Sequence, residues 1–249
     1  MTMLTAGILI IGDEVLSGRT QDTNSNFIAK NLTSSGIKLE EIKVIQDVKD
    51  HIVNSVRLFS ENYSYVSTTG GIGPTHDDIT SESLAEAFNK KYEINKEAFN
   101  ILEKYYPEGE FNESRQRMAK MPSDVQLIYN PMTAAPGFVL NNVYVLPGVP
   151  KIMEVMFINI LKNIKKGKPK NVITLNTNLY ESKLAPYLND IQKKYKECSI
   201  GSYPYFNFLS KTGGVNISIS SWTMESLDDV VKEISEMIKL NGGNYSIVW

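Results

Sequence analysis

Apolar and polar positions alternate along the chain in two rhythms. Ala6 to Ile11 is a near-continuous apolar run, the pattern of a central parallel strand buried on both faces. Phe27, Ile28 and Leu32 then recur at helical spacing, with Gly36 placed just past the helix end. Leu39, Ile42, Val44 and Ile45 mark a second strand region, and Ile52, Val53, Val56 and Phe59 a second helix. Tyr65 to Thr69 reads as a third strand. Helices are predicted near Ser81 to Phe88 and from about Lys96 to Tyr106, the latter ended by Pro107. A further helical piece opens at Asn112 and is stopped by Pro122. Short strands follow over Val125 to Tyr129, Gly137 to Leu140 and Val143 to Leu146. A helix then carries Ile152, Met153, Val155, Met156, Ile160 and Leu161. Strands alternating with helices predict an open α/β sheet.

Beyond the basic, turn-rich stretch from Lys162 to Pro169 the pattern changes, and the domain boundary is placed there, giving domains over residues 1–165 and 170–249. Strands are predicted over Val172 to Leu175, Ser199 to Tyr203, Val215 to Trp222 and Tyr245 to Trp249. Helices are predicted over Ser182 to Tyr195 and Leu227 to Leu240. The resulting β-α-β-β-α-β order is that of a split-βαβ, ferredoxin-like α+β layer. Tyr203, Tyr205, Phe206 and Phe208 cluster around a loop, and Gly213-Gly214 is no G-x-x-G clamp, so packing or dimerisation is favoured over RNA binding.

Composition narrows the function classes. The 249 residues carry a formal net charge of −2, which argues against a nucleic-acid field. Cys198 is the only cysteine, which excludes an internal disulfide and fits a reduced, cytoplasmic setting. With His51 and His76 the only histidines, the composition argues against a His-rich or Cys-based zinc site as well. The N-terminal apolar run is too short to span a membrane.

The chemistry concentrates where strands hand over to helices. Thr69-Gly70-Gly71-Ile72-Gly73-Pro74-Thr75-His76-Asp77-Asp78 is a strand end, a glycine-rich turn and a helix start. Glycines let backbone N–H groups approach an anion, and a helix N-terminus adds free donors. Asp77 and Asp78 beside such a turn would repel phosphate without a cation between them, so the stretch reads as a metal-bridged phosphate site. Asp13 with Glu14, and Asp47, fall at the ends of two other strands. Right-handed crossovers put all these junctions on one sheet edge. Plain turn chemistry and helix capping would also account for some of these residues. Arg115 and Arg117 suit phosphate recognition or a solvated face equally.

The ordered set of motifs resembles a known family. Gly12-Asp13-Glu14-Val15-Leu16-Ser17-Gly18, the glycine-rich stretch above, Arg115-Gln116, Ala135-Pro136-Gly137-Phe138 and Pro147-Gly148-Val149-Pro150 resemble the N-terminal domain of CinA, the competence/damage-inducible protein. That domain belongs to the MoaB/MogA molybdopterin-binding fold, which also forms the N-terminal domain of eukaryotic FAD synthase. The tail is similar to the small KH-like module that follows it in CinA, whereas the amidase domain of full-length CinA has no counterpart here. The resemblance implies a three-layer α/β/α sandwich with a mostly parallel sheet, assembled as a homo-oligomer, dimer or trimer. It implies a metal-dependent hydrolase of nucleotide diphosphates such as ADP-ribose or FAD; molybdopterin binding, or a non-catalytic regulatory oligomer, are the alternatives.

The site residues implied are Asp47, Asp78 and Arg115 for catalysis and Asp13, Asp77 and Asp78 for a divalent cation (Mg²⁺, Mn²⁺ or Co²⁺). Ligand binding falls to Gly12, Ser17, Gly18, Gly70, Gly71, Gly73, Pro74, Thr75, Gln116, Ala135, Pro136, Gly137, Pro147 and Gly148. Two positions depart from the family pattern. Thr133-Ala134 stand where a Gly-Thr pair is usual, and Ile152 holds the place of a glutamate, the next acid being Glu154.

Overall fold

A computed structural model describes residues 3–207 and 212–248. Phe208 and Trp249 lie outside the described residues. The chain forms two compact units, Met1–Gly167 and Lys168–Trp249.

In the first unit, β1 (Thr5–Ile11), the short α1 (Asp13–Leu16), α2 (Asn24–Ser34), β2 (Lys38–Ile45), α3 (Lys49–Asn62) and β3 (Tyr65–Thr69) come in order. After them come α4 (Thr80–Ala87), β4 (Tyr92–Ile94), α5 (Lys96–Tyr105), α6 (Glu113–Gln116), a 3₁₀ turn (Arg117–Ala119) and β5 (Lys120–Pro122). The unit closes with β6 (Gln126–Ile128), β7 (Gly137–Leu140), β8 (Val143–Leu146) and α7 (Pro150–Asn163). Six strands pair in the order β2-β1-β3-β8-β7-β6, while β4 and β5 form a separate antiparallel pair that the sequence pattern did not predict. The first four strands of the large sheet run parallel, and β7 is antiparallel to both β8 and β6.

The unbroken apolar run of β1 is explained by two cores. Leu9 and Ile11 pack on one face with Ile52, Val56, Phe59 and Leu84 of α3 and α4. Ile8 and Ile10 pack on the other with Ile28 and Leu32 of α2 and Met153, Met156 and Phe157 of α7. Each such buried aliphatic contributes roughly 1.5–3 kcal/mol relative to exposure. The unit is thus a three-layer α/β/α sandwich, as the resemblance implies. The connection from β1 to β2 runs one way along the sheet and that from β2 to β3 crosses back, so the switch point lies between β1 and β3, where such sheets bind ligands.

The second unit contains β9 (Asn171–Thr177), α8 (Glu181–Lys194), β10 (Ser199–Asn207), β11 (Thr212–Ser221), α9 (Asp228–Leu240) and β12 (Tyr245–Val248). Its antiparallel sheet has the order β10-β11-β9-β12, the split-βαβ arrangement. Leu175, Val215, Ile217 and Ile219 pack beneath Leu184, Leu188, Val230 and Ile234 of the two helices. Cys198 joins this core, and burial pushes its thiol pKa up, which leaves it a poor nucleophile. The strand predicted over Ser199 to Tyr203 is present and runs on, so that Tyr205 and Phe206, expected around a loop, lie within β10, which pairs with β11 as far as Asn207 with Thr212. Gly214, opposite Tyr205, packs so closely on β9 that a Cβ there would run into the Thr177 carbonyl, and it would also meet the Tyr205 hydroxyl at 2.8 Å. No helix among the described residues is long and apolar enough to cross a membrane.

Candidate functional site

The ends of the strands are level. Ile11 pairs with Ile45, Ile10 with Thr69, and Thr69 with Leu146, so β1, β2, β3 and β8 all stop at one edge of the sheet. The loop between β6 and β7 returns to the same edge. A cleft of about 640 Å³ opens there, within the usual range for small-molecule sites. Of the residues singled out by sequence, Asp47, Gly70, Gly71, Gly73, Pro74, Asp77, Asp78, Ala135, Pro136, Pro147 and Gly148 line it.

The glycine-rich turn is held from both sides. Gly70 N–H donates to the Leu146 carbonyl at 3.1 Å, so it prolongs the sheet and is not free for a ligand. Thr80 closes the loop, its N–H donating to the Gly71 carbonyl and its hydroxyl to the Gly70 carbonyl, each at 3.0 Å. Among the described residues the N–H groups of Gly71, Ile72 and Gly73 have no acceptor, and all three residues line the cleft. Three successive N–H groups without an acceptor are donors of the kind an anion uses.

Carboxylates face these donors. Asp47 Oδ2 accepts the Asp13 N–H at 2.9 Å, which ties the ends of β1 and β2 together. Burial raises the Asp47 pKa above its ordinary value of 3.8, against the pull of that hydrogen bond, and the charges of Glu14, Asp13 and Asp77 push it the same way. Asp78 Oδ2 accepts the Thr75 N–H at 2.8 Å. The Thr75 hydroxyl lies 2.5 Å from Asp77 Oδ1 and 2.5 Å from Asp78 Oδ2, although it has a single proton to give. That hydroxyl holds the Asp77 pKa below the usual value. Four carboxylates (Glu14, Asp47, Asp77 and Asp78) line the cleft and, among the described residues, no lysine, arginine or histidine does, so the surface is negative. Among the described residues, no group of three or more His, Cys, Asp or Glu side chains is gathered tightly enough to be a ready cation cage. The donor set is nonetheless all hard oxygen, the chemistry that Mg²⁺ or Mn²⁺ selects.

Several other positions serve the frame of the cleft. Asp13 contributes its N–H to Asp47, and Thr75 holds the two neighbouring aspartates. Gly12 N–H donates to the Ile45 carbonyl, Ser17 donates to the Glu14 carbonyl, and Gly18 ends α1. Gly137 packs so closely on β8 that a Cβ would run into the Val145 carbonyl. The structure does not bring Arg115 to the cleft. Its guanidinium donates to the Glu110 carbonyl at 2.6 Å and carboxylate at 3.0 Å and lies 4.2 Å from the centre of the Tyr106 ring. Gln116 likewise donates to the Phe111 carbonyl, so both residues fasten the loop before α6. Glu154, the acid nearest to Ile152, pairs with Lys151 and does not line the cleft, whereas Ile152 does.

Sequence reasoning overlooked Asn130, whose side chain accepts from Met132 and Thr133 N–H and donates to Thr133 and Ala135, shaping the rim. Its position just before Pro131 in a small-residue loop was the available signal.

Comparison with known proteins agrees with this architecture. Residues 7–166 match the family described as "Probable molybdopterin binding domain", and residues 169–242 match the FAD synthase middle domain. The chain belongs to this molybdopterin-binding-domain family. It is 35% identical over 231 residues to a protein of Archaeoglobus fulgidus, covering 93% of this chain and 96% of that one. It is 39% identical over 254 residues to proteins of several Saccharolobus islandicus strains, covering 95% of this chain and 96% of theirs. The crystal structure of CinA from Thermoplasma acidophilum, a protein described as of unknown function, covers 64% of this chain and 96% of its own at 35% identity and a TM-score of 0.61. The chain is accordingly a relative of the CinA N-terminal domain.

Proposed function

We propose that the cleft hydrolyses the pyrophosphate bond of a nucleotide diphosphate of the ADP-ribose or FAD kind, with a divalent cation bound. The observation that carries this reading is the pairing, across one cleft, of three open backbone donors with four carboxylates and no positive side chain. Phosphate oxygens fit the N–H groups of Gly71, Ile72 and Gly73. Asp77 and Asp78 would hold Mg²⁺, Mn²⁺ or Co²⁺, which when bound supplies neutralisation of the diphosphate and a lowered pKa for water. Asp47, its pKa raised by burial, is suited to accept a proton from the attacking water. Asp13 acts through its backbone, fixing the Asp47 carboxyl. Assembly as a dimer or trimer in the cytoplasm completes the proposal.

The experiment is AMP release from ADP-ribose and from FAD with each cation and with chelator, for the native protein and Asp78→Asn. The amide keeps an acceptor for the Thr75 N–H and hydroxyl but removes the charge. Cation-dependent release, lost at least a hundredfold in the variant at unchanged melting temperature, supports the reading. Equal turnover in the variant would sink the assignment of Asp78. The family match of residues 7–166 favours a second reading, molybdopterin binding in the same cleft, which pterin retention without nucleotide turnover would select.

A further inference from the structure

The strand order lays out the chemistry of the cleft from one end to the other. Along the sheet edge the strands follow the order β2, β1, β3, β8, β7, so β3 is in the middle. At about 4.8 Å between neighbours, these five span roughly 19 Å. Asp47 follows β2 and Glu14 follows β1, which makes one end acidic. Gly71, Ile72 and Gly73, with their unpaired N–H groups, follow β3 in the middle, and Asp77 and Asp78 come after them. The far end is built by the segment after β8, with Pro147, Val149 and Ile152, and by the loop before β7, with Ala135 and Pro136.

Among the described residues no charged side chain lines this far end. Asn130 is there, but its amide is spent within its own loop, on Met132, Thr133 and Ala135. Val149 is 56% exposed and stands at the N-cap of α7, where polar side chains are preferred and where it makes no capping bond. Its contribution is therefore apolar surface on the cleft wall. A neutral, apolar wall beside a phosphate-binding turn suits a flat ring, whereas a carboxylate end suits hydroxyls. Resting on the nucleotide-diphosphate reading above, we propose that the ligand lies across the strand ends in one direction, with its aromatic base against Val149, Ile152, Ala135 and Pro136 and its diphosphate at the glycine-rich turn. Val149 and Ile152 are then specificity-determining residues, which favour diphosphates that carry a ring over those that do not.

The test reads the worth of the ring alone. Two probes are titrated calorimetrically with Mg²⁺: adenosine 5′-(α,β-methylene)diphosphate, and the same molecule with a hydrogen in place of adenine. The native protein should bind the adenine form at least about tenfold more tightly, as burial of a ring on an apolar wall implies. Val149→Ser supplies a better N-cap, so its melting temperature should be unchanged or raised while that ratio falls about threefold. Ile152→Ala should lower the ratio about fivefold, its affinity for the ringless probe staying within about twofold of native and so reporting an intact diphosphate site. Glu14→Gln, at the opposite end, should change both affinities by the same factor and leave the ratio alone.

A ratio unchanged in both apolar variants would overturn the proposal, and so would a ratio lowered by Glu14→Gln in their place. Native protein that binds the two probes equally overturns this inference and leaves the diphosphate site standing. Native protein that binds neither probe and releases no AMP from ADP-ribose overturns the nucleotide reading as well.

Discussion

Gly70→Ala should be among the most damaging single-methyl changes in the first unit, and Gly18→Ala is its internal control. Both glycines have positive φ, 104° at Gly70 and 73° at Gly18. At Gly18 an added Cβ meets nothing within 4 Å, so only backbone strain is charged. That costs about 1 kcal/mol once the lost freedom of the unfolded glycine is offset. At Gly70 the φ lies further from any region an L-residue favours, a strain of roughly 1–3 kcal/mol. The Cβ would also run into the backbone carbonyl of Ile11 on β1, which cannot swing aside as a side chain can.

Relief at Gly70 means spreading β1 from β3, or breaking the Gly70 N–H to Leu146 bond on the other side, at about 1–3 kcal/mol more. The sum, about 4 kcal/mol, is a large part of a typical domain's stability. At roughly 2–4 °C per kcal/mol for a unit of this size, Gly70→Ala should lower the melting temperature by about 8–16 °C and Gly18→Ala by about 2–4 °C. Urea and thermal unfolding followed by circular dichroism would measure both. Equal shifts for the two variants would refute the reasoning, because they would show that the contact with Ile11 adds nothing to the φ strain.

Three further outcomes are expected. Ala134, between the cleft-lining Thr133 and Ala135, has φ 63°, so Ala134→Gly should relieve strain and stabilise the protein by about 0.5–1 kcal/mol, seen as a small rise in melting temperature. The Asp47 carboxyl should titrate above 3.8 by carbon-detected NMR. Between 3.8 and that raised value the folded state holds a proton the unfolded chain has released, so this group's contribution to stability is present on the acid side and lost as pH rises through that window. Mg²⁺ should move the midpoint down, and a midpoint insensitive to the cation would argue that Asp47 does not face it. Arg115→Lys should leave nucleotide turnover within about threefold of native and cost less than about 1 kcal/mol, as expected for a partly exposed ion pair; a hundredfold loss of turnover would return Arg115 to the cleft.

The sequence made the layers of the first unit legible because its core is written twice. A strand such as Ala6 to Ile11, apolar at every position, must have helices on both sides, and the helical stripes at Ile28, Leu32, Val56 and Phe59 supply them. The carboxylates at strand ends were legible for the same topological reason, since parallel strands joined by crossovers finish on one edge. What side chains do within that edge was less legible. Arg115 reads from sequence as a phosphate ligand, but the Tyr106 ring and Glu110 carboxylate lie near it and claim it first. The β4–β5 pair escaped notice because each strand is three residues long and β4 is exposed throughout. Tyr205 and Phe206 read as a loop cluster because the residues they pair with, Gly214 and Gly213, are on the neighbouring strand.

The place of β8 has a consequence for how the protein is made. This strand lies between β3 and β7 in the sheet, yet it is the last strand of its unit to be synthesised. On a ribosome, β1, β2 and β3 emerge with the hydrogen-bonding edge of β3 open, and it stays open until residues 143–146 arrive. Until then Gly70 lacks its carbonyl acceptor, Asn24 lacks the Gly148 carbonyl, and the cleft lacks its wall of Pro147, Gly148, Val149 and Pro150. The bare edge of β3 is, over the same interval, a ready template for another chain. Closure over so long a stretch makes for slow folding, and a nascent chain stalled before β8 is therefore the species that chaperones must shield.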